Sequence, residues 1–409
     1  MTMGNARILA YGLLGLPLAF AALPIYVHVP HFYAQVAGME LALLGAVLLG
    51  ARLFDAVIDP WLGWLADRVS RRRMVLLALL PFTLGFVALL NPPPGNATAW
   101  LLASLVTTYV GFSAASVAYQ AWGAAIGGET LLRTRLTAAR EGFGLLGVLL
   151  AAALPAALAL ELNVGVARLA WVLPLLLLPA VALLMVCVPT EHRAATPPQP
   201  MLPSLRRVWA DQAFRRLLLI FLASGIAAAL PATLFLFFVA DVLRQQAASG
   251  PLLALYFLAG AVSLPGWVWL SARVGRVHAW LAAMALSIAA FASAGLLGPG
   301  DLVPFAVICL ASGLALGADL ALPAAIAADL GERQGQSGAV FGVWNFVAKL
   351  NLALAAGLAL PLLAWFGYSP SSGEGLPALR AAYALLPLFF KALAATMLWR
   401  WRHDLETPK

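Results

Sequence analysis

Charge is scarce in this sequence. Of its 409 residues only 10% are Asp, Glu, Lys or Arg, while 63% are hydrophobic. So thin a polar complement cannot coat a water-soluble core of this size, and apolar runs of about 20 residues, enough to cross a bilayer, recur from end to end. Cysteine is nearly missing: Cys187 and Cys309 both sit in apolar runs, which excludes a disulfide framework. There is no Walker loop, Gly-x-Ser-x-Gly, His-Glu-x-x-His or Cys/His ligand set, so neither ATPase nor hydrolase chemistry is expected, and no cofactor.

What charge there is lies unevenly. Eighteen of the 25 Lys and Arg fall in loops and ends on one side, including Arg71, Arg72, Arg73, Arg193, Arg206, Arg207 and Lys409. Only Arg168, Arg244 and Arg380 fall in opposite loops, and Arg52, Arg140, Lys349 and Lys391 lie within apolar segments. This asymmetry places both termini in the cytoplasm and the chain in a bacterial-type inner membrane. The net charge of +8 is therefore topology, and the partner is a lipid bilayer rather than nucleic acid. The first apolar stretch, from Ile8 past Ile25, exceeds a signal-peptide core and reads as a retained helix.

Breakers such as NPPPGN (91–96) and GYSPSSGEG (367–375) divide the chain into twelve expected spans: 7–34, 39–66, 74–92, 98–127, 133–161, 165–188, 213–244, 248–273, 277–298, 302–330, 335–366 and 376–400. The fold class is thus all-α and polytopic. A Pro-rich linker, 189–212, separates two six-helix bundles, 1–188 and 213–409. An internal repeat supports the division, since WLADRVSR at Trp64–Arg71 matches WLSARVGR at Trp269–Arg276 without a gap, with Pro60 and Pro265 in register. Two parallel halves of this kind are the plan of major facilitator transporters.

RLFDAVIDPWLGWLADR, Arg52 to Arg68, puts three charges into an apolar helix. Arg52, Asp55 and Asp59, spaced i, i+3 and i+7, share one helical face. Asp59 lies about 12 Å and Asp55 about 18 Å from Asp67 along the axis. Lipid charges on the order of 3 kcal/mol or more for such a group, so this face should line a polar interior. Two carboxylates suit a monovalent cation or a shared proton. The repeat sharpens the point: Asp55 pairs with Gly260, Asp59 with Leu264 and Asp67 with Ala272, so the scaffold is repeated and the carboxylates are not.

Other candidates follow. Lys349 is mid-helix, about 20 Å deep, with Asn345 one turn before it and Trp344 beside that. Arg140 reads equally as substrate contact or structural salt bridge, with Glu141 pointing elsewhere. Asp319, in GADLALP, would neutralise Lys349 or contact substrate; Lys391 reads as a packing or snorkelling residue. Tyr119, Gln120, Trp122 and Trp344 are candidate substrate contacts, able to stack on a sugar ring or to line an apolar cavity. Asp67, Arg68, Arg71 and Arg72, joined by Arg333, read as a gate at the cytoplasmic end whose charges pair in one state and part in another.

GWLADRVSRR at Gly63–Arg72 resembles the loop signature between the second and third helices of the major facilitator superfamily. The longer stretch from Arg52 to Arg68 resembles the glycoside–pentoside–hexuronide:cation symporters, melibiose permease among them, as do RTRLTAARE (133–141) and GAVFGVWNFVAKLNLALA (338–355). The resemblance implies a symporter coupled to Na+ or H+, ordinarily a monomer. It implies that Asp55 and Asp59 bind the ion, that Ser113 occupies a place where the family often has a hydroxyl, and that Lys349 and Arg140 lie by the substrate. The chain departs from the family at Ile58, where melibiose permease has an asparagine. Ser116 and the uncharged GLLGLPLAFAALP stand where that permease has acidic residues for sugar hydroxyls. The expected substrate is therefore a glycoside-like solute, with a lysolipid or other anionic amphiphile as alternative, since the related lysolipid symporters have a more apolar cavity. A proton-driven drug exporter is a third reading.

Overall fold

The structure, a computed structural model, describes residues 3–35, 39–93, 95–159, 162–190, 200–368 and 374–405. Arg193 and Lys409, Pro94 of the first breaker and residues 369–373 of the second lie outside them. Every regular element among these residues is helical: α1 (Asn5–Leu13), α2 (Gly15–Leu23), α3 (Val29–Gln35), α4 (Leu41–Ala66), α5 (Arg71–Leu90), α6 (Ala97–Ile126), α7 (Thr130–Leu158), α8 (Leu162–Cys187), α9 (Met201–Ala210), α10 (Gln212–Phe237), α11 (Ser249–Val274), α12 (Arg276–Ala292), α13 (Leu302–Gln334), α14 (Ser337–Trp365), α15 (Leu376–Arg400) and α16 (Arg402–Leu405).

Among the described residues eleven segments are long and apolar enough to cross a membrane. The remaining expected span corresponds to α4, a 26-residue helix that holds Arg52, Asp55 and Asp59. The first expected span, 7–34, is not one continuous helix. It bends through α1 and α2 into a π-helical turn at Pro24–His28 before α3, since Pro24 carries no N–H to continue the ladder. Helix starts are fixed by short polar side chains: Ser70 accepts from the Arg73 N–H, Asn96 from Ala99 and Asp211 from Phe214. The linker contributes a helix of its own, α9.

Contacts group the chain into two compact units, 1–208 with 327–346, and 209–326 with 347–409. The end of α13 and the start of α14, assigned from sequence to the second bundle, thus cluster with the first unit. In that unit α5 packs along α6, α2 along α7 and α4 along α6. In the other, α15 packs against both α10 and α12, and α11 against α12. The internal repeat is visible as local geometry. Arg68 lies over the Trp64 ring at 4.0 Å, and 205 residues later Arg273 lies over Trp269 at 4.1 Å.

Candidate functional site

Asp55 and Asp59 face inward from α4. Their exposures are 3% and 0%, while Leu53, Val57 and Trp61 on the other faces are more than half exposed. The i, i+4 spacing sets both carboxylates on one stripe, and that stripe packs against α6. There Ser113, itself 1% exposed, donates its hydroxyl to Asp55 Oδ1 at 2.7 Å. The structure thus brings together two of the oxygen-bearing groups expected at one site, with Asp59 a turn away. Arg52 is exposed, so it does not share their burial. Among the described residues no group of three or more His, Cys, Asp or Glu forms a metal cluster. Two carboxylates and a hydroxyl therefore make an oxygen-only donor set, suited to a hard monovalent ion or a proton rather than a transition metal.

One turn below Asp59, α4 meets the start of α14 almost backbone to backbone. A Cβ on Gly63 would lie 2.3 Å from the Gly338 carbonyl oxygen, and one on Gly342 would lie 2.5 Å from that of Asp59. Small residues at such crossings let helices approach in the membrane. The approach delivers Asp67 to the N-terminus of α14: Oδ1 accepts from the Gly338 N–H at 2.7 Å and Oδ2 from Ala339 at 2.8 Å. These are N–H groups that the helix itself cannot satisfy, at the positive end of its dipole. Burial pushes the Asp67 carboxyl above its ordinary range, against the lowering effect of Arg71 and the two backbone donors. Arg71 pairs with Asp67 at 3.1 Å and reaches Glu332 at 4.0 Å; Arg133 pairs with Asp329 at 2.7 Å.

Of the residues expected at a gate, Asp67 and Arg71 thus meet here, together with Glu332; Arg133 and Asp329, which the sequence reading did not single out for this end, form a pair of their own. The signal for the two carboxylates was that Asp329 and Glu332 stand near Arg333 at the end of an apolar helix. Arg72 instead donates to the Met185 carbonyl at 2.9 Å, at the end of α8. Arg68 stacks on Trp64, and Arg333 is exposed. Asp67→Ala removes a charged cap and an ion pair, and should lower stability by about 2–3 kcal/mol, with Asp67→Asn in between. The thermal midpoints of the two variants check this.

The remaining candidates sort by position. Tyr119 and Trp122 are buried: Tyr119 donates to the Tyr11 carbonyl, while Trp122 donates to the Pro189 carbonyl at 3.1 Å. Their polar tips are thus taken up by backbone carbonyls of the protein. Gln120 is half-buried beside them. Arg140 is held by Glu141, which does not point elsewhere: both Nε and Nη2 of the guanidinium donate to Oε1. Trp344 is buried and Asn345 and Lys349 half-buried along α14, with Lys349 in the second unit. Asp319, in the second unit, pairs with Lys391 at 2.5 Å, so Lys391 is no snorkelling residue.

A family profile described as MFS/sugar transport protein matches residues 8–404. An uncharacterized symporter of Synechocystis sp. is 35% identical over 85 residues, 20% of this chain and only 16% of that protein. Among solved structures, a bacterial homologue of the iron transporter ferroportin in an outward-facing state aligns with TM-score 0.69 at 17% identity, covering 97% of this chain and 99% of that one. The human organic anion transporter TETRAN aligns with TM-score 0.68 at 21% identity, over 96% and 98%. The Escherichia coli fucose:proton symporter gives 0.69 at 14% identity, over 97% of each. These likenesses are of fold.

Proposed function

The chain belongs to the MFS/sugar transport family of membrane transporters, and from that premise we propose that it is a symporter driven by Na+ or H+, working by alternating access. Asp55 and Asp59 hold the coupling ion and Ser113 supplies a neutral oxygen. The observation that carries this reading is the burial of both carboxylates on a helix that the internal repeat does not otherwise require to be charged. A buried carboxylate pair is costly unless something positive occupies it part of the time. The Asp67 cap on α14 and the Arg71–Glu332 and Arg133–Asp329 pairs form the contact that must part and re-form, with both termini on the cytoplasmic side of an inner membrane.

The substrate proposed first is a glycoside-like solute, in keeping with the family. An anionic amphiphile is the second reading. It is favoured by the burial of Tyr119 and Trp122, 1% and 0% exposed, which covers two rings that a sugar would stack on.

The test is thermal unfolding of the purified protein in Na+ against K+ at fixed ionic strength and several pH values, with Asp55→Asn and Asp59→Asn alongside. An ion at 100 times its dissociation constant adds about 2.7 kcal/mol to the state that binds it. The expected result is a Na+-specific rise lost in both variants, or a pH dependence lost in both if the ion is a proton. Variants that respond to both ions as the parent does would refute the site.

A further inference from the structure

The 25-residue span α15 is about 38 Å long at 1.5 Å per residue, so it overshoots a hydrocarbon core of about 30 Å and its ends stand among lipid headgroups. Trp399 is the last residue but one of that span and is 54% exposed. Leu385, Phe389 and Thr396, also exposed, fall on the same helical stripe, which in a bilayer meets acyl chains and ends at Trp399. An indole at this level is where a membrane protein ordinarily meets the interface.

Two polar side chains gather on that indole, all within the second unit. The Arg402 guanidinium lies over the Trp399 ring, 4.2 Å from its centroid, and Nη1 donates to the Trp399 carbonyl at 2.7 Å. His278, in the first turn of α12, stands with its ring nearly perpendicular to the indole at 6.4 Å, because α12 packs along α15. Stacking occupies the face of the guanidinium and leaves its edge. One of its five N–H donors is used by the carbonyl, so four remain, held in a plane that the indole sets. Among the described residues no carboxylate pairs with Arg402. Asp404, two residues on, is paired with Arg216, which in turn lies over the Trp401 ring at 5.5 Å. A planar fork with donors to spare matches two oxygens of a phosphate.

We propose that Arg402, seated on Trp399 beside His278, binds the phosphate of an anionic phospholipid whose acyl chains run along the exposed stripe of α15. Phosphate follows from the fork. A lipid follows from the height of the fork, at headgroup level and at the end of an apolar stripe facing the bilayer. Net negative charge follows from the cluster itself: the ammonium of a zwitterionic headgroup would meet Arg402 with no carboxylate of the cluster to receive it. The site rests on the chain being a membrane transporter, and on neither the coupling ion nor the substrate.

The test is native mass spectrometry of the full chain, delipidated in detergent and titrated with dioleoyl phosphatidylglycerol or dioleoyl phosphatidylethanolamine, with glycerol 3-phosphate as the free headgroup. The first phosphatidylglycerol should bind about tenfold more tightly than phosphatidylethanolamine, and glycerol 3-phosphate should compete at least about a hundredfold less well than the lipid. Arg402→Gln should weaken phosphatidylglycerol about tenfold, to within about twofold of phosphatidylethanolamine. Arg402→Lys, which keeps the charge without the fork, should recover less than half of that loss on a logarithmic scale. Trp399→Leu should weaken phosphatidylglycerol about fivefold with no change of charge. Arg400→Gln, at an exposed neighbour outside the cluster, should change it less than about twofold. Should Arg402→Gln not fold, Arg402→Lys and Trp399→Leu decide. Equal binding of the two lipids would overturn the proposal. So would an Arg400→Gln loss as large as that of Arg402→Gln, the mark of a diffuse positive surface, or a free headgroup that competes as well as the lipid.

Discussion

Exchanging Lys391 for methionine should lower the thermal midpoint sharply, and adding Asp319→Asn should recover most of the loss. The side chains of Lys391 and Asp319 are 4% and 13% exposed, and the pair lies inside the helical packing of the second unit. Taking two opposite charges together into such surroundings is close to neutral in energy, because their attraction offsets their desolvation. Removing one partner is different: it leaves the other charge without its counterpart and without water, at a cost of about 3–5 kcal/mol. Methionine keeps the length of the lysine stem, so the change isolates the charge from the packing. In the double variant the amide oxygen that replaces the carboxylate can still accept from Trp280 and Ser224, the two neutral donors that now hold Asp319.

Unfolding midpoints of the parent, both single variants and the double variant complete a cycle. A coupling of at least about 2 kcal/mol is expected, toward the upper end for groups in direct contact. A single-variant loss under about 1 kcal/mol would mean that the pair is solvated, as surface pairs are.

Much of the fold was legible because it is written in local pattern. Apolar runs mark the spans, breakers mark the turns, and the i, i+3, i+7 spacing alone puts Asp55 and Asp59 on one stripe. The repeat put Trp64 and Arg68 in register with Trp269 and Arg273, whose stacking the structure then shows. What was not legible depends on distance in sequence. Lys391 is 72 residues from Asp319 and Trp280 is 39, and nothing local announces that they meet. Adjacent helical residues point about 100° apart, which is why Glu141 was expected to face away from Arg140. Two long side chains can curl across that angle, as the buried Arg140 guanidinium and the Glu141 carboxylate do. Tyr119 and Trp122 are ambiguous in sequence for a related reason. An aromatic with a polar tip reads the same whether that tip meets substrate or a backbone carbonyl, and here it meets the carbonyls of Tyr11 and Pro189. The grouping of 327–346 with the first unit is likewise tertiary, fixed by glycine contacts that look like any other small residues in a membrane helix.

The second large effect is expected at one of those glycines, and α4 supplies its own control. Alanine normally favours a helix interior over glycine by about 1 kcal/mol, so a Gly→Ala change with room for the methyl should be neutral or stabilising. Gly50 has that room, with nothing within 4 Å of a built Cβ. Gly63 does not: its Cβ would lie 2.3 Å from the Gly338 oxygen and 2.9 Å from the Gly342 Cα, all backbone that no rotamer change can move. To admit the methyl, α4 and the start of α14 must separate by roughly 1 Å, the gap between such an approach and ordinary contact near 3.5 Å. That shift carries Asp67 beyond hydrogen-bond reach of the Gly338 and Ala339 N–H groups, now at 2.7 and 2.8 Å. Gly63→Ala should therefore lose the packing and the cap together while leaving each helix intact. If this contact opens and closes during transport, the variant populates the open form. A cysteine at Ala339, wholly buried in the parent, should then react with a membrane-impermeant maleimide at least about tenfold faster, since a shift of 1.4 kcal/mol suffices for that factor. Gly50→Ala should leave the rate unchanged. A fall in thermal midpoint with no gain in labelling would make the crossing a static weld, and the gate would have to be sought elsewhere.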